Sequence, residues 1–366
     1  MKNLNILIKP ASSACNMVCR YCFYKDEAEK RETACYGMMS EEVMENIIKK
    51  ALEYAQETCT FGFQGGEPTL AGLEFFQKFT DLVEKYNKNH LAVSYSLQTN
   101  GILIDNEWIT FFADKKFLIG ISLDGPKEIQ DANRLDQNGK STFNRVTRVI
   151  QGLLRSQVEV NVLTVLTRQS ARHVEKIYSF LKKLGVRYQQ YIPCLDPLGQ
   201  PQGKEFYSLT PKLFAQAHKR LFDLWFSDLM RNDYVYIRQF ENWVGILKGY
   251  PPEACTMYGR CTMQNVIEAN GDVFPCDFYV LDKYKVGNIK EQSFQQLYEK
   301  LEENSFFQDA DKRDIRCPDC RWYPICRGGC RRDCSVEKQQ QHNYYCEAYQ
   351  EIFSYVIERL EYLARR

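Results

Sequence analysis

Cysteine is the residue that most limits what this chain can be. Fifteen are present, and they are unevenly spread. Cys15, Cys19 and Cys22 fall within eight residues, and nine more lie between Cys255 and Cys346. Cys35, Cys59 and Cys194 are scattered between the two groups. Met1 to Pro10 lacks the long apolar core of an export signal. Many thiols without such a signal read as metal ligands or redox groups rather than disulfides, and an odd count fits a disulfide framework poorly. A cytoplasmic location is expected.

Charge narrows the partners. Lys+Arg is 48 and Asp+Glu is 47, a net charge of +1 over 366 residues. That balance argues against a broad basic face for nucleic acid or anionic membrane. No uncharged apolar run approaches the roughly 18 residues of a membrane span. At 44% hydrophobic and 13% aromatic, the chain is too apolar to be disordered.

The first 200 residues alternate between two periodicities. Short β-rich runs occur at Asn5–Lys9, Thr60–Gln64, Val93–Gln98, Phe117–Leu123, Val158–Leu166 and Tyr188–Ile192. Helical patterns lie between them at Ser40–Gln56, Leu73–Tyr86, Asn106–Ala113, Phe143–Ser156 and Ala171–Leu184. Repeated strand–helix units predict an α/β fold with a parallel sheet. Six strands are too few for an eight-fold barrel and suit a partial one. In such folds the chemistry sits at the C-terminal strand ends. Those ends carry Ser12, Ser13 and Cys15, then Gln64-Gly65-Gly66-Glu67-Pro68, Gln98-Thr99-Asn100-Gly101, Ser122-Leu123-Asp124-Gly125 and Cys194-Leu195-Asp196.

Past Pro197 the pattern changes. Pro211–Met230 and Val235–Leu247 read as helices, Asn270-Gly271-Asp272 as a hairpin turn, and Asp311–Cys346 as a loop-rich segment held by cysteines. Tyr349–Leu363 reads as a closing helix. The expected division is 1–230 and 231–366.

The first motif, Cys15-x3-Cys19-x2-Cys22, can hold three irons of a 4Fe–4S cubane and leave the fourth open. On spacing alone a three-ligand zinc knuckle also fits. The second constellation comprises Cys255, Cys261, Cys276, Cys317, Cys320, Cys326, Cys330 and Cys346. It supplies enough thiolates for two cubanes, or for two four-cysteine zinc sites. His90, His173, His218 and His342 have no metal-ligand spacing.

With Gly65-Gly66-Glu67-Pro68 after the second strand, the cysteine triad resembles the radical S-adenosylmethionine (SAM) enzymes. That resemblance implies a partial (β/α)6 barrel and SAM bound to the open iron. It puts Tyr21 by the adenine, Gly66 by the methionine amino group, and Ser122 and Arg134 at the ribose and carboxylate. Leu195 would face the adenine. The plain alternative for Arg134 is a solvated surface arginine. The later cysteines resemble a SPASM domain with two auxiliary 4Fe–4S clusters, followed here by a C-terminal helix. The resemblance gives the first auxiliary cluster Cys255, Cys261, Cys276 and Cys330. It gives the second Cys317, Cys320, Cys326 and Cys346. Cys334 lies close enough to Cys330 to replace Cys346.

Ile6–Ser13, Phe63–Gly72, Ser96–Gly101 and Pro275–Asp282 resemble stretches of the anaerobic sulfatase-maturating enzymes. These oxidise one cysteine or serine of a nascent, unfolded sulfatase to Cα-formylglycine. The implied reaction takes hydrogen from the residue's Cβ by a 5′-deoxyadenosyl radical. An electron then passes to an auxiliary cluster, and a base removes the thiol or hydroxyl proton. An electron donor such as flavodoxin or ferredoxin is implied. Asp277 fits the base, and its plain alternative is a loop aspartate accepting from nearby N–H groups. Tyr24, Gln64 and Gln98 either line the peptide site or support its rim. Two other readings are a SPASM enzyme that cross-links a ribosomal peptide and a non-catalytic zinc or iron–sulfur scaffold.

Overall fold

The computed structural model describes residues 3–310, 314–337 and 340–366, so part of the expected Asp311–Cys346 loop segment lies outside the described residues. The strands run β1 (Leu4–Ile8), β2 (Thr58–Phe63), β3 (Ala92–Thr99), β4 (Leu118–Ser122), β5 (Glu159–Leu166) and β6 (Tyr188–Pro193). They continue with β7 (Tyr236–Ile237), β8 (Val266–Ile267), β9 (Asp272–Phe274), β10 (Gly287–Asn288), β11 (Cys334–Glu337) and β12 (Gln340–Asn343). The chain divides into two compact units, each discontinuous in sequence.

The first unit comprises Met1–Ser122, Arg134–Val160 and Thr262–Gln308. Within it β1, β2, β3 and β4 are parallel neighbours in that order, from Leu4↔Cys59 through Ile8↔Phe63 onward. β8 lies parallel on the other side of β1, then β9 and β10 follow antiparallel. Gly271, at φ +91°, makes the turn between β8 and β9. The helices form where amphipathic periodicity predicts them. In Glu41–Tyr54, Ser40 Oγ accepts from Val43 N at 3.3 Å, and Glu41 and Glu42 occupy the positive first turn. The covering helix Leu73–Tyr86 sets Phe76 and Phe79 edge-on to Phe63 of β2, with centroids 5.0 and 4.9 Å away. Each such buried ring contributes about 1.5–3 kcal/mol.

The second unit comprises Leu123–Asn133, Asn161–Cys261 and Asp309–Arg366. It pairs β5, β6 and β7 in parallel. The helices Pro211–Met230, Arg238–Leu247 and Cys346–Ala364 pack through aromatic rings, and Val174–Lys183 joins Pro211–Met230 where Tyr178 Oη donates to Asp228 Oδ2 at 2.7 Å. Phe214 meets Tyr345 at 4.4 Å, and Trp243 meets Phe353 at 5.0 Å. The expected helix over Val235–Leu247 begins only at Arg238, because β-prone Tyr236 and Ile237 join β6 as a strand. Gly185 ends its helix at φ +91°, as expected. Among the described residues no helix is long and apolar enough to cross a membrane.

Candidate active site

The end of β1 and the end of β2 meet through backbone. Gly66 N donates to Ser12 O at 2.9 Å, and Glu67 N donates to Ala14 O at 2.7 Å. A Cβ on Gly66 would stand 2.1 Å from Ala14 O and 2.6 Å from the Ser13 carbonyl. Only glycine permits that approach. The glycine pair therefore shapes the loop that delivers Cys15. Glu67 fixes the next strand end: its buried carboxylate accepts from Thr69 N, Thr69 Oγ1, Thr99 Oγ1 and Asn100 N.

Asn100, so held, donates from Nδ2 to Cys15 Sγ at 3.8 Å. Arg134 Nη1 donates to Cys19 Sγ at 3.9 Å, and its Nε to Tyr21 Oη at 2.6 Å. Arg134 is buried, so the solvated-surface alternative does not hold. Burial pushes the Cys15 thiol up to about 11. A thiol so placed needs a metal to hold its sulfur as thiolate. Donors aimed at two of the three sulfurs suit an iron–sulfur cluster, whose sulfurs take such hydrogen bonds. Gln98 Nε2 donates to Ser122 Oγ at 3.1 Å, so Gln98 supports that rim position. Tyr21, Gly66, Ser122 and Arg134 thus share the first unit with the cysteine triad, while Leu195 lies in the second, just past β6.

Cys276 belongs to the first unit, in the segment after β9. Cys255, Cys261, Cys317, Cys320, Cys326, Cys330 and Cys346 belong to the second. None of the fifteen cysteines is in a disulfide. Among the described residues no three His, Cys, Asp or Glu side chains converge on a single-ion site. Cys334 opens β11 and donates from Sγ to Cys330 O at 3.3 Å. Cys59 is buried within β2, and Cys194 Sγ donates to Tyr207 O at 3.5 Å.

Asp277 is buried, and its carboxylate is asymmetrically bound. Oδ2 accepts from Tyr24 Oη at 2.6 Å and from Gln64 Nε2 at 3.1 Å. Oδ1 is buried with no hydrogen-bond partner. The carboxylate is held by side chains, unlike the loop aspartate of the plain alternative. Burial raises its pKa to about 6, against the opposing pull of Lys9 and the Tyr24 hydrogen bond. The helix Phe23–Ala28 carries Tyr24, and Phe23 contacts Phe278 edge-on at 5.0 Å.

Beneath this carboxylate lies a buried charge network that sequence reasoning missed. Lys9 Nζ meets Glu268 Oε1 at 2.8 Å and Glu27 Oε2 at 3.7 Å. Arg31 Nη1 donates to the same Glu268 oxygen at 2.6 Å. Although burial works to raise the Glu268 pKa, Lys9 and Arg31 bring it down to about 2. Burial holds Glu27 at about 8. The only signal in the sequence was a lysine directly after the apolar run Ile6-Leu7-Ile8 that closes the first strand.

Two family models match the chain. One, the radical SAM superfamily, covers residues 10–181, and the other, the SPASM iron–sulfur cluster-binding domain, covers residues 255–330. The cysteine-type anaerobic sulfatase-maturating enzyme of Clostridium novyi (strain NT) is 46% identical over 367 residues, covering 100% of this chain and 98% of that one. The chain belongs to the anaerobic sulfatase-maturating enzymes. The corresponding Clostridium perfringens enzyme is 44% identical, covering 98% of each chain. The solved structure of native anSMEcpe with bound AdoMet and Kp18Cys peptide superposes with a TM-score of 0.94 at 44% identity, covering 100% of this chain and 99% of that one. The fold is accordingly the radical SAM α/β fold with a SPASM domain, as the sequence predicts. It is an enzyme, and its family uses SAM with three 4Fe–4S clusters. The scaffold reading and the cross-linking reading both give way to this membership.

Proposed function

We propose that this enzyme converts a cysteine in an unfolded sulfatase segment to Cα-formylglycine, with Asp277 as the base that takes the thiol proton. The observation that carries the reading is the buried carboxylate with one oxygen held by Tyr24 and Gln64 and the other unpartnered. Cysteine is preferred over serine because the relatives described above are cysteine-type.

When bound, SAM and the first cluster would supply the hydrogen-abstracting power at the substrate's Cβ, and an auxiliary cluster would supply an electron acceptor. Cys15, Cys19 and Cys22 are the proposed ligands of the first cluster. Tyr21, Gly66, Ser122, Arg134 and Leu195 are the proposed SAM contacts. Cys255, Cys261, Cys276 and Cys330 are proposed for one auxiliary cluster. Cys317, Cys320, Cys326 and Cys346 are proposed for the other. Asp277 Oδ1 is the oxygen left to accept the proton, while Tyr24 and Gln64 steady Oδ2. Loss of two hydrogens leaves a thioaldehyde on the substrate, and water converts it to the aldehyde with release of hydrogen sulfide. The division into 1–230 and 231–366 is part of the same reading, with the two family models matching residues 10–181 and 255–330 on either side of it. A flavodoxin or ferredoxin as electron donor and a cytoplasmic location complete the proposal, since iron–sulfur ligand thiols in such number suit a reducing compartment.

The test is anaerobic incubation with SAM, a reductant and a sulfatase-motif peptide bearing cysteine, read by mass spectrometry. The expected product is the peptide with formylglycine at that cysteine. 5′-Deoxyadenosine formed beside an unchanged or cross-linked peptide would overturn the reading.

A further inference from the structure

We propose that Lys9 is a positioning residue for the reaction, its buried ammonium holding the Tyr24 ring so that the hydroxyl stays on Asp277. The proposal rests on the reading of Asp277 as the base. Lys9 is 1% exposed. Its backbone N donates to Ile267 O at 2.9 Å, which pins it between β1 and β8. Its Nζ reaches Glu268 beside β8, Glu27 on the helix Phe23–Ala28, and the face of Tyr24 at 5.2 Å from the ring centroid. One cation therefore ties together the elements that carry the base and its partner. Glu27 extends the tie, because it accepts from Val280 N three residues beyond Asp277.

A buried lysine needs a reason to stay charged. Burial works to lower the Lys9 pKa, and the Glu268, Glu27 and Asp277 carboxylates outweigh it and keep it above its usual value. Arg31 also meets Glu268, so that carboxylate keeps a cationic partner when Lys9 is replaced. Its further contact is the Tyr24 ring, to which a desolvated ammonium is attracted.

Lys9→Met keeps the length and removes the charge. Formylglycine made per 5′-deoxyadenosine should fall by up to about ten-fold, no further than when the Tyr24 hydrogen bond itself is removed, because the charge acts through that bond. In a Tyr24→Phe background the same change should add little, since the two act on one contact. Lys9→Met/Glu27→Gln removes both partners and leaves Glu268 paired with Arg31, which guards against a variant that fails to fold. Unchanged coupling in an iron-replete Lys9→Met protein overturns the proposal, and so does a loss fully additive with Tyr24→Phe. Failure of both Lys9 variants to load iron marks Lys9 as scaffold and also overturns it. Asp277→Asn run alongside separates the two claims. If Asp277→Asn is inactive and Lys9→Met couples normally, only the Lys9 proposal fails. If Asp277→Asn remains active, the base assignment fails.

Discussion

Tyr24 Oη and Asp277 Oδ2 lie 2.6 Å apart, although 253 residues of chain separate them. The bond occupies one oxygen of a buried carboxylate and leaves Oδ1 without a partner. A hydrogen bond donated to the charged form favours that form, and burial opposes it. The pair therefore sets both the direction and the proton affinity of the base.

Tyr24→Phe removes the donor and keeps the ring. Asp277 has a pKa of about 6, so formylglycine formation should decline as pH falls through that value. The Tyr24 bond lowers that pKa, so its loss should move the acid limb to higher pH. The rate at neutral pH should fall about ten-fold or more, in line with loss of a hydrogen bond to a charged group. A pH–rate profile over the acid limb checks this, and an unmoved limb contradicts it.

Glu27 makes a stability prediction. Burial raises its pKa from 4.5 to about 8 in the folded protein. Between those values the folded chain holds a proton that the unfolded chain has released, so stability falls as pH rises through the window. One such proton gives a slope of at most about 1.4 kcal/mol per pH unit. Glu27→Gln should flatten that dependence. Melting temperatures of the anaerobic protein across the window test it, and parallel curves for parent and variant would count against it.

Gly66→Ala should act as though it were a cluster mutation. The new methyl would stand 2.1 Å from Ala14 O, backbone that cannot swing aside, in the loop leading to Cys15. The reference is the triple variant Cys15→Ala/Cys19→Ala/Cys22→Ala, which should keep roughly eight of about twelve irons and lose SAM cleavage. Gly66→Ala should approach the same iron content. Full iron with normal 5′-deoxyadenosine production would show that the loop tolerates a Cβ.

Local chemistry made much of this molecule legible. Fully apolar runs such as Ile6–Ile8 and Phe61–Phe63 mark buried parallel strands, and Ser40 with Glu41 and Glu42 marks a helix start. The cysteine spacings and Gly65–Pro68 point to radical SAM chemistry from the sequence alone. Strands of two or three residues, such as β7, β8 and β10, are too short for a period to register. The network of Lys9, Glu27, Arg31 and Glu268 was illegible for another reason. Glu268 is 237 residues from Arg31, and no local pattern encodes that pairing. Gln98 went to the rim and Gln64 to the base, a distinction that only the direction of each side chain decides.

The central claim is that Asp277 takes the substrate proton during formylglycine formation. Asp277→Asn keeps the shape and removes the carboxylate. The deciding measurement is formylglycine produced per 5′-deoxyadenosine, by mass spectrometry, on anaerobic protein with its full iron content. General-base assistance contributes roughly a hundred- to ten-thousand-fold, so the ratio should fall by at least about a hundred-fold. A ratio equal to the parent's would contradict the account and make Asp277 a structural residue.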